Sequence, residues 1–196
     1  MIHSTIQIYG GKSFSANELY DKINDYEKSL DKVLAGVLAS NSIDWIALDL
    51  AFKSSKKASI PLPKFFSDEQ LINIIHSSGL QLIYSDDPER IEALAIGKRA
   101  GTLGEFTIFQ IERKTNCKHS GISKITFTSG TTGNPKGVCL SQKAIDDVLQ
   151  SLIKMTQCSV DDRILSFMPF PILLENIVGI YLALSVGSQV VLLENN

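Results

Sequence analysis

The chain has 196 residues, of which 44% are apolar and 20% charged, so it is long enough to bury a sizeable core and has an ordinary globular composition. Its formal charge of -2 gives no electrostatic case for nucleic-acid binding, which usually depends on a strongly basic face. The sequence shows no basic segment followed by an apolar run at its start, and its most apolar stretch, 177–186, is too short to span a bilayer, so we predict no secretory signal and no transmembrane segment.

In chain order, the first half of the sequence predicts strands and helices in alternation. Capping boxes formed by Ser15 with Glu18, and by Ser67 with Gln70, predict two helix starts. After the first box, one helical face carries the apolar residues Leu19, Ile23, Tyr26 and Leu30. A cap at Asn41 or Ser42 predicts another helix, whose apolar face carries Trp45, Leu48 and Phe52. Short apolar or alternating runs predict strands at 2–9, 33–39, 58–62, 80–84 and 106–111.

The second half continues the alternation. Residues 97–104 are polar and contain glycine, and residues 112–121 are polar, so both are predicted to be loops. A strand at 122–127, a helix from about Gln142 capped by Ser141, a strand at 163–168, a helix after Pro171 and a strand at 188–193 follow. Alternating strands and helices with short connections predict an α/β fold with a largely parallel sheet covered by helices.

One stretch differs from the rest of the chain in its density of glycine and hydroxyl residues. Residues 128–137 contain three glycines (Gly130, Gly133, Gly137), four hydroxyl side chains (Thr128, Ser129, Thr131, Thr132) and Lys136, directly after a predicted strand. Glycines allow a row of backbone N–H groups to face a bound anion, and the lysine adds a point charge for phosphate oxygens. A hydroxyl could share a magnesium ion with those oxygens. The stretch therefore predicts a phosphate-binding loop.

A simpler interpretation of this stretch remains open from the residues alone. A Ser/Thr/Gly-rich run is often a solvated surface loop, in which Lys136 would be an exposed lysine and Thr128 a hydroxyl at a strand end. Pro135 stiffens the step before the lysine, which a flexible linker does not require. The stretch is not a Walker A loop, because no Gly-Lys-Ser/Thr ending follows an earlier glycine at the required spacing.

The order of residues in Phe-Thr-Ser-Gly-Thr-Thr-Gly-Asn-Pro-Lys-Gly-Val, 127–138, resembles the phosphate-loop signature of the adenylate-forming superfamily, which includes acyl-CoA synthetases, luciferases and peptide-synthetase adenylation domains. Asn41-Ser-Ile-Asp-Trp, Ile60-Pro-Leu-Pro and Ser166-Phe-Met-Pro-Phe-Pro resemble further segments of that family. The resemblance implies the N-terminal subdomain of an acyl-CoA synthetase-like fold. Residues 1–196 would be the N-terminal part of an AMP-binding (adenylation) domain, with the rest of the large domain and the C-terminal domain absent.

The resemblance also implies a reaction and its site. An ATP-dependent ligase of this family converts a carboxylate into an acyl-adenylate and pyrophosphate, then passes the acyl group to coenzyme A or to the phosphopantetheine of a carrier protein. By resemblance, Lys136 is the catalytic residue and Thr128 the Mg²⁺ contact. The residues implied to bind ATP are Thr128, Ser129, Gly130, Thr131, Thr132, Gly133, Lys136 and Gly137. We expect residues 1–196 by themselves to be inactive, because half of the nucleotide site would be missing.

The substrate is a small-molecule carboxylate whose class the resemblance narrows only in part. Glu175 stands where long-chain acyl-CoA synthetases tend to carry Glu, which favours a fatty acid–CoA ligase. Ile172 and Asn176 depart from the family's frequent His or aromatic residue and Arg, so an aryl or amino acid activated for an acyl carrier protein remains an alternative. Two other classes remain possible: an ATPase or kinase, and a non-catalytic nucleotide-binding or scaffold module.

The histidines and cysteines suggest no second site. His76 and His119 have no nucleophile or carboxylate at a suggestive spacing and are predicted to be surface residues. Cys117, Cys139 and Cys158 are odd in number and lack metal-ligand spacing, which predicts reduced thiols and a cytoplasmic protein.

Overall fold

The strands of the fold are divided between a large and a small sheet. The computed structural model describes residues 5–8, 11–30, 34–112, 120–128 and 135–193. The strands are β1 (Ile6–Ile8), β2 (Ser13–Phe14), β3 (Leu34–Leu38), β4 (Ala58–Pro61), β5 (Leu82–Ser85), β6 (Gly97–Leu103), β7 (Phe106–Ile111), β8 (Lys124–Thr128), β9 (Lys136–Leu140), β10 (Arg163–Ser166) and β11 (Gln189–Leu192). The helices are α1 (Ala16–Ser29), α2 (Ile43–Ser54), α3 (Asp68–Ser78), α4 (Pro88–Ala93), α5 (Gln142–Thr156), a π-helix (Glu175–Leu182) and α6 (Ala183–Val186).

The large sheet has seven strands in the order β6-β7-β5-β3-β4-β8-β9. Strand β3 pairs in parallel with both β4 and β5, and β4 pairs in parallel with β8. Strands β7 and β9 run antiparallel to their neighbours. The small sheet has the order β10-β11-β1-β2, with only β2 antiparallel. The predicted α/β class with a largely parallel sheet is confirmed, although the sequence did not indicate two sheets.

Helices cover both faces of the large sheet because its central strand is apolar on both sides. Every residue of β3 is buried, as expected of a strand inside a parallel sheet. Leu34 and Leu38 belong to a core shared with α3 and α4, whereas Ala35 and Val37 belong to a core shared with α1, α2 and the π-helix. The second core also receives Ile6, Val190 and Leu192 of the small sheet, so this core joins the two sheets.

Local sequence signals fix the helix ends as predicted. Both capping boxes form, with Ser15 and Ser67 each accepting the backbone N–H three residues later. Ser42, rather than Asn41, caps α2 by accepting from the N–H of Trp45 at 3.0 Å. Helix α3 ends at Gly79, whose φ of 68° lies in the left-handed region that glycine adopts without strain.

Two sequence-based predictions are corrected, and a third is refined. Residues 97–104, predicted to be a loop, contain strand β6, which pairs antiparallel with β7 through an irregularity between Arg99 and Gly101. Residues after the glycine-rich stretch, not predicted to be extended, form strand β9. Both strands lie at the edges of the large sheet with mostly exposed side chains, so they lack the apolar pattern on which strand prediction depends. The helix after Pro171 is confirmed, but its first eight residues are π-helical.

Some predictions fall on residues outside the described ranges. These are most of the polar connection at 112–121, including Cys117 and His119, and the start of the first strand. Cys139 and Cys158 are free thiols, and His76 is half-buried. No helix in the described part of the chain is both long enough and apolar enough to cross a bilayer.

The turn between β6 and β7 gives a test of how tightly α1 and α2 pack on the sheet. Gly104 has a φ of 57°, and a Cβ there would lie against the Tyr26 hydroxyl and 2.5 Å from Asp44 Oδ1. We expect Gly104→Ala to lower the free energy of unfolding by about 2 kcal/mol or more, since backbone strain and overpacking add. Gly121→Ala is the control, because Gly121 also has a positive φ (77°) but faces open space. Equal losses in urea denaturation of the two variants would contradict the packing at Gly104.

Candidate functional site

The glycine-rich stretch connects two antiparallel strands of the large sheet. Thr128 is the last residue of β8 and Lys136 the first of β9, and the two are direct cross-strand partners. Both are exposed. The other residues predicted here, Ser129, Gly130, Thr131, Thr132 and Gly133, lie outside the described residues. The structure thus places the two ends of the predicted phosphate loop side by side.

The Thr128–Lys136 pairing has a direct chemical consequence. Directly opposed residues of an antiparallel pair project from the same face, with Cβ atoms about 4.5–5.5 Å apart. The side chains of Thr128 and Lys136 therefore leave the same face of the hairpin where the loop begins and ends. None of the ion pairs among the described residues includes Lys136. This arrangement suits an anion together with an oxygen-coordinated cation.

Gly137, also predicted to contact the nucleotide, has a packing role. It pairs with Phe127, and a Cβ at residue 137 would lie 3.1 Å from two atoms of the Phe127 ring and 3.2 Å from Ile125 Cγ2. The absence of a side chain lets the ring lie across the backbone of β9. A nucleotide contact by Gly137 stays a prediction.

The predicted phosphate loop begins at the carboxyl ends of the parallel strands. Thr128 ends β8 on the same edge at which β3, β4 and β5 end, because these strands share one direction. Ligands of open α/β sheets commonly bind at this edge. Here Asp86, just past β5, accepts from the N–H of Ser40 at 2.8 Å and from Lys64 Nζ at 3.0 Å, so the charge of Lys64 is already matched.

The segment 166–176 is tied to the start of α2. Asn41 Nδ2 donates to the carbonyl of Met168 at 2.7 Å, and the N–H of Phe170 donates to Asn41 Oδ1 at 2.9 Å. The rings of Trp45 and Phe170 pack with their centroids 4.9 Å apart. Two of the stretches on which the family resemblance rests therefore contact each other directly.

Glu175 is a buried structural acceptor rather than only a carboxylate at a helix start. Its Oε1 accepts from the Ser166 hydroxyl at 2.5 Å and from the N–H of Phe167 at 3.2 Å. Gly179 lies one turn on, and a Cβ there would come within 2.6 Å of the same oxygen. Glu175 therefore fixes the end of β10 against the π-helix.

A buried polar cluster at the base of β8 was missed by sequence analysis. Lys124, only 2% exposed, donates from Nζ to both Asp49 oxygens at 2.7 and 2.9 Å and to Asn176 Oδ1 at 2.6 Å. The Tyr181 hydroxyl donates to Asp49 Oδ2 at 2.6 Å. Burial lowers the pKa of Lys124 below its ordinary value, although Asp49 opposes the shift. The sequence predicts the strand but assigns no partner to Lys124, and only the fold reveals the helices that cover it.

A second group of carboxylates surrounds the turn after β6. The Ser42 hydroxyl donates to Glu105, and Asp44 accepts from Lys22 and from the Tyr26 hydroxyl. Partial burial of the carboxyl group, with repulsion from Asp44 and Asp86, raises the pKa of Glu105 to about 7, while the Ser42 hydrogen bond opposes the shift.

This shift predicts a pH effect on stability. The folded-state pKa of Glu105 exceeds its ordinary value of 4.5, so the stabilisation from its retained proton is complete below about pH 4.5 and is lost as the pH rises through about 7. Because Glu105 is an exposed residue, solvent screening keeps the effect under about 1 kcal/mol. We expect the stability advantage of wild type over Glu105→Gln to shrink between pH 5 and pH 8 in urea denaturation. A difference that does not change with pH would contradict the shift.

Comparison with known proteins identifies the family of the chain. The family model described as "AMP-binding enzyme" matches residues 3–196. The chain belongs to the AMP-binding enzyme family. The family resemblance inferred from the glycine-rich stretch is thereby confirmed, and the family consists of adenylate-forming ligases.

Curated relatives and solved structures agree with the family assignment. Human long-chain-fatty-acid–CoA ligase 1 is 23% identical over 180 residues, which cover 73% of this chain and 26% of the ligase. ATP-bound MatB from Rhodopseudomonas palustris superposes with a TM-score of 0.74 at 17% identity, covering 97% of this chain and 42% of MatB. The AMP complex of O-succinylbenzoate coenzyme A synthetase from Bacillus subtilis superposes with a TM-score of 0.76 at 18% identity, covering 100% of this chain and 54% of the synthetase. The two structures show a shared fold, and the chain spans about a quarter of the human ligase.

Proposed function

We propose that this chain is the N-terminal part of an ATP-dependent ligase that activates a carboxylate as an acyl-adenylate and then forms a thioester. One observation carries the proposal: the exposed Thr128 hydroxyl and the Lys136 ammonium are cross-strand partners at the mouth of the glycine-rich loop of an AMP-binding family member. The remainder of the large domain and the C-terminal domain would complete the site. ATP-bound and AMP-bound relatives of the same fold support the choice of nucleotide.

Lys136 has the main catalytic role in this proposal. A carboxylate oxygen of the substrate attacks the α-phosphorus of ATP, the bond from that phosphorus to the bridging oxygen breaks, and pyrophosphate leaves with the electron pair. Negative charge accumulates on the leaving group, where an exposed lysine without a described carboxylate partner can stabilise it. The backbone N–H groups of residues 129–133 would add donors around the outer phosphates.

Thr128 would share in holding Mg²⁺. Its hydroxyl is exposed at the strand end beside Lys136, and an oxygen ligand of this kind fits the preference of Mg²⁺ for one or two protein oxygens plus phosphates. When bound, Mg²⁺ would neutralise phosphate charge. The role of Thr128 is to supply and orient one oxygen ligand. Because Thr128 ends β8, this oxygen lies at the mouth of the loop.

A fatty acid is the substrate class that we favour, with coenzyme A or a carrier-protein phosphopantetheine as acceptor. The human relative is named for long-chain fatty acids, and the segment 166–176 carries two exposed apolar side chains, Phe167 and Leu174. Aryl acids are the alternative, which the name of the B. subtilis relative supports. The free thiols of Cys139 and Cys158 support a reducing, cytoplasmic location.

The substrate class can be tested with the full-length protein that contains these residues. Purified protein with Mg-ATP and coenzyme A is offered short, medium and long fatty acids, aryl acids and amino acids, and AMP release and thioester formation are measured. We expect turnover with medium or long fatty acids. Turnover with aryl acids alone, or with amino acids alone, would identify that class as the substrate in place of fatty acids. Turnover of ATP to ADP without any acid would instead favour an ATPase or kinase.

A further inference from the structure

We propose that the buried cluster formed by Lys124, Asp49, Asn176 and Tyr181 is the anchor that sets the position of the β8–β9 hairpin relative to the segment 166–176. The effect of this anchor on the reaction rests on the proposed function, but the anchoring itself does not. Lys124 and its partners would be positioning residues, since all four are buried and lie at the base of the hairpin rather than at its exposed end.

Among the described residues, the β8–β9 hairpin is paired with the rest of the large sheet only at its base, although Ile125 also packs into the core. Strand β8 has one register pair with β4, Ser59 with Lys124, and the N–H of Ser59 donates to the carbonyl of Ser123 at 3.0 Å. On its other side β8 pairs only with β9, which is an edge strand whose first four residues are exposed. The direction in which the hairpin extends therefore depends on what holds the residues around Lys124.

The Lys124 side chain holds this base to two other elements. Asp49 belongs to α2, whereas Asn176 and Tyr181 belong to the π-helix. Lys124 Nζ contacts all three, with the Tyr181 hydroxyl at 3.2 Å, and Asn176 Nδ2 also donates to Asp49 Oδ2 at 3.1 Å. Lys124 and Asp49 thus each contact the other three members, so the cluster constrains the hairpin, α2 and the π-helix together.

The π-helical geometry accounts for how two of these partners reach the same ammonium group. In a π-helix the hydrogen bonds join residues five apart, so Asn176 and Tyr181 lie nearly one above the other. In an α-helix with 3.6 residues per turn, the same two residues would be about 140° apart around the axis. The wider turn therefore brings both side chains to Lys124 and Asp49, which gives the π-helix a specific role.

The same helix also fixes the segment that precedes it. Asn176 directly follows Glu175, whose carboxylate accepts from Ser166 and from the N–H of Phe167. Displacement of the hairpin base would therefore strain the hydrogen bonds at the end of β10. Through these contacts the anchor holds Thr128 and Lys136, the two ends of the predicted phosphate loop, in a fixed position relative to the segment 166–176, as in-line attack of a carboxylate on ATP requires.

Amide hydrogen exchange on the full-length protein without substrates tests the anchor. Each of Tyr181→Phe and Asn176→Ala removes two buried hydrogen bonds of the cluster. We expect each variant to raise exchange in β8 and β9 by about tenfold relative to β3, because weaker anchoring favours local opening of the hairpin. Tyr26→Phe is the matched control, because it removes an equally short bond of 2.6 Å to a different buried carboxylate, Asp44. It should leave the ratio of hairpin to β3 exchange unchanged.

Two outcomes would overturn the anchor. One is uniform acceleration of exchange in all strands, which would show a general packing role, and the other is unchanged exchange in the hairpin. In the same variants we expect kcat for adenylation to fall several-fold, with a smaller change in KM for the acid. If wild type forms no adenylate while the exchange result holds, the anchor stands and the proposed function fails. If wild type is active and the hairpin is unaffected, the anchor alone fails.

Discussion

Replacing Lys136 by alanine in the full-length protein is expected to slow acyl-adenylate formation by about 10²- to 10³-fold, the usual cost of losing one preorganised charge stabiliser. Lys136 is exposed, stands beside Thr128 at the mouth of the loop and has no described carboxylate partner, so its charge is available to the leaving pyrophosphate. The rate is measured by single-turnover formation of the adenylate at saturating Mg-ATP and acid.

Lys143→Ala provides the control for this variant. Lys143 lies seven residues further on in α5, where it is exposed and pairs with Asp147 at 2.6 Å. Because exposed helix pairs contribute only a few tenths of a kcal/mol, the variant should fold normally and retain its rate. An unchanged rate in Lys136→Ala would remove Lys136 from the mechanism, and equal losses in both variants would point to an indirect effect.

Replacing Lys124 by methionine is expected to lower the free energy of unfolding by about 3–5 kcal/mol, since it leaves Asp49 as an uncompensated buried charge. The side chains of Lys124 and Asp49 are each only 3% exposed. The Tyr181 and Asn176 hydrogen bonds to Asp49 remain but carry no positive charge. The loss is measured by urea denaturation near neutral pH.

Two further variants determine whether the charge is the cause. Lys98→Met removes one partner of a fully exposed pair with Glu112 and should cost less than about 1 kcal/mol. Combining Lys124→Met with Asp49→Leu should recover part of the loss, because no buried charge is left unpaired. A loss below about 1 kcal/mol in Lys124→Met alone would contradict the buried ion pair.

The elements that the sequence predicted correctly are those with local causes. Ser15 and Ser67 form capping boxes within four residues of chain, and Gly79 ends α3 by its own backbone preference. The apolar run of β3 is enough to predict a strand buried on both faces. In each instance the determining interactions lie close together in the sequence, so no knowledge of the tertiary fold is needed.

The elements that were missed depend on partners distant in the chain. Strand β6 is extended because it pairs with β7, although its own residues are polar and exposed. The π-helix and the burial of Lys124 arise only where α2, β8 and residues 175–182 meet. No spacing in the sequence connects Lys124 with Asp49, which is 75 residues earlier.

In the candidate site, too, the sequence identifies residues within one local motif but not roles that depend on tertiary contacts. Thr128 and Lys136 could be selected from the order of residues, and their cross-strand pairing agrees with that choice. The structural role of Glu175 could not be derived from the sequence, because its hydrogen bonds from Ser166 and Phe167 form only when the π-helix packs against the end of β10. The roles of Thr128, Lys136 and Gly137 toward ATP and Mg²⁺ stay predictions, as do those of Ser129, Gly130, Thr131, Thr132 and Gly133, which lie outside the described ranges.

Carboxylate-dependent exchange of labelled pyrophosphate into ATP, catalysed by the full-length protein, tests the central claim most directly. Only an enzyme that reversibly forms an acyl-adenylate and pyrophosphate gives this exchange. We predict exchange that requires Mg²⁺ and a carboxylate and that is lost in Lys136→Ala but kept in Lys143→Ala. Binding of Mg-ATP with no exchange for any acid, or release of ADP and phosphate in place of AMP and pyrophosphate, would contradict the claim.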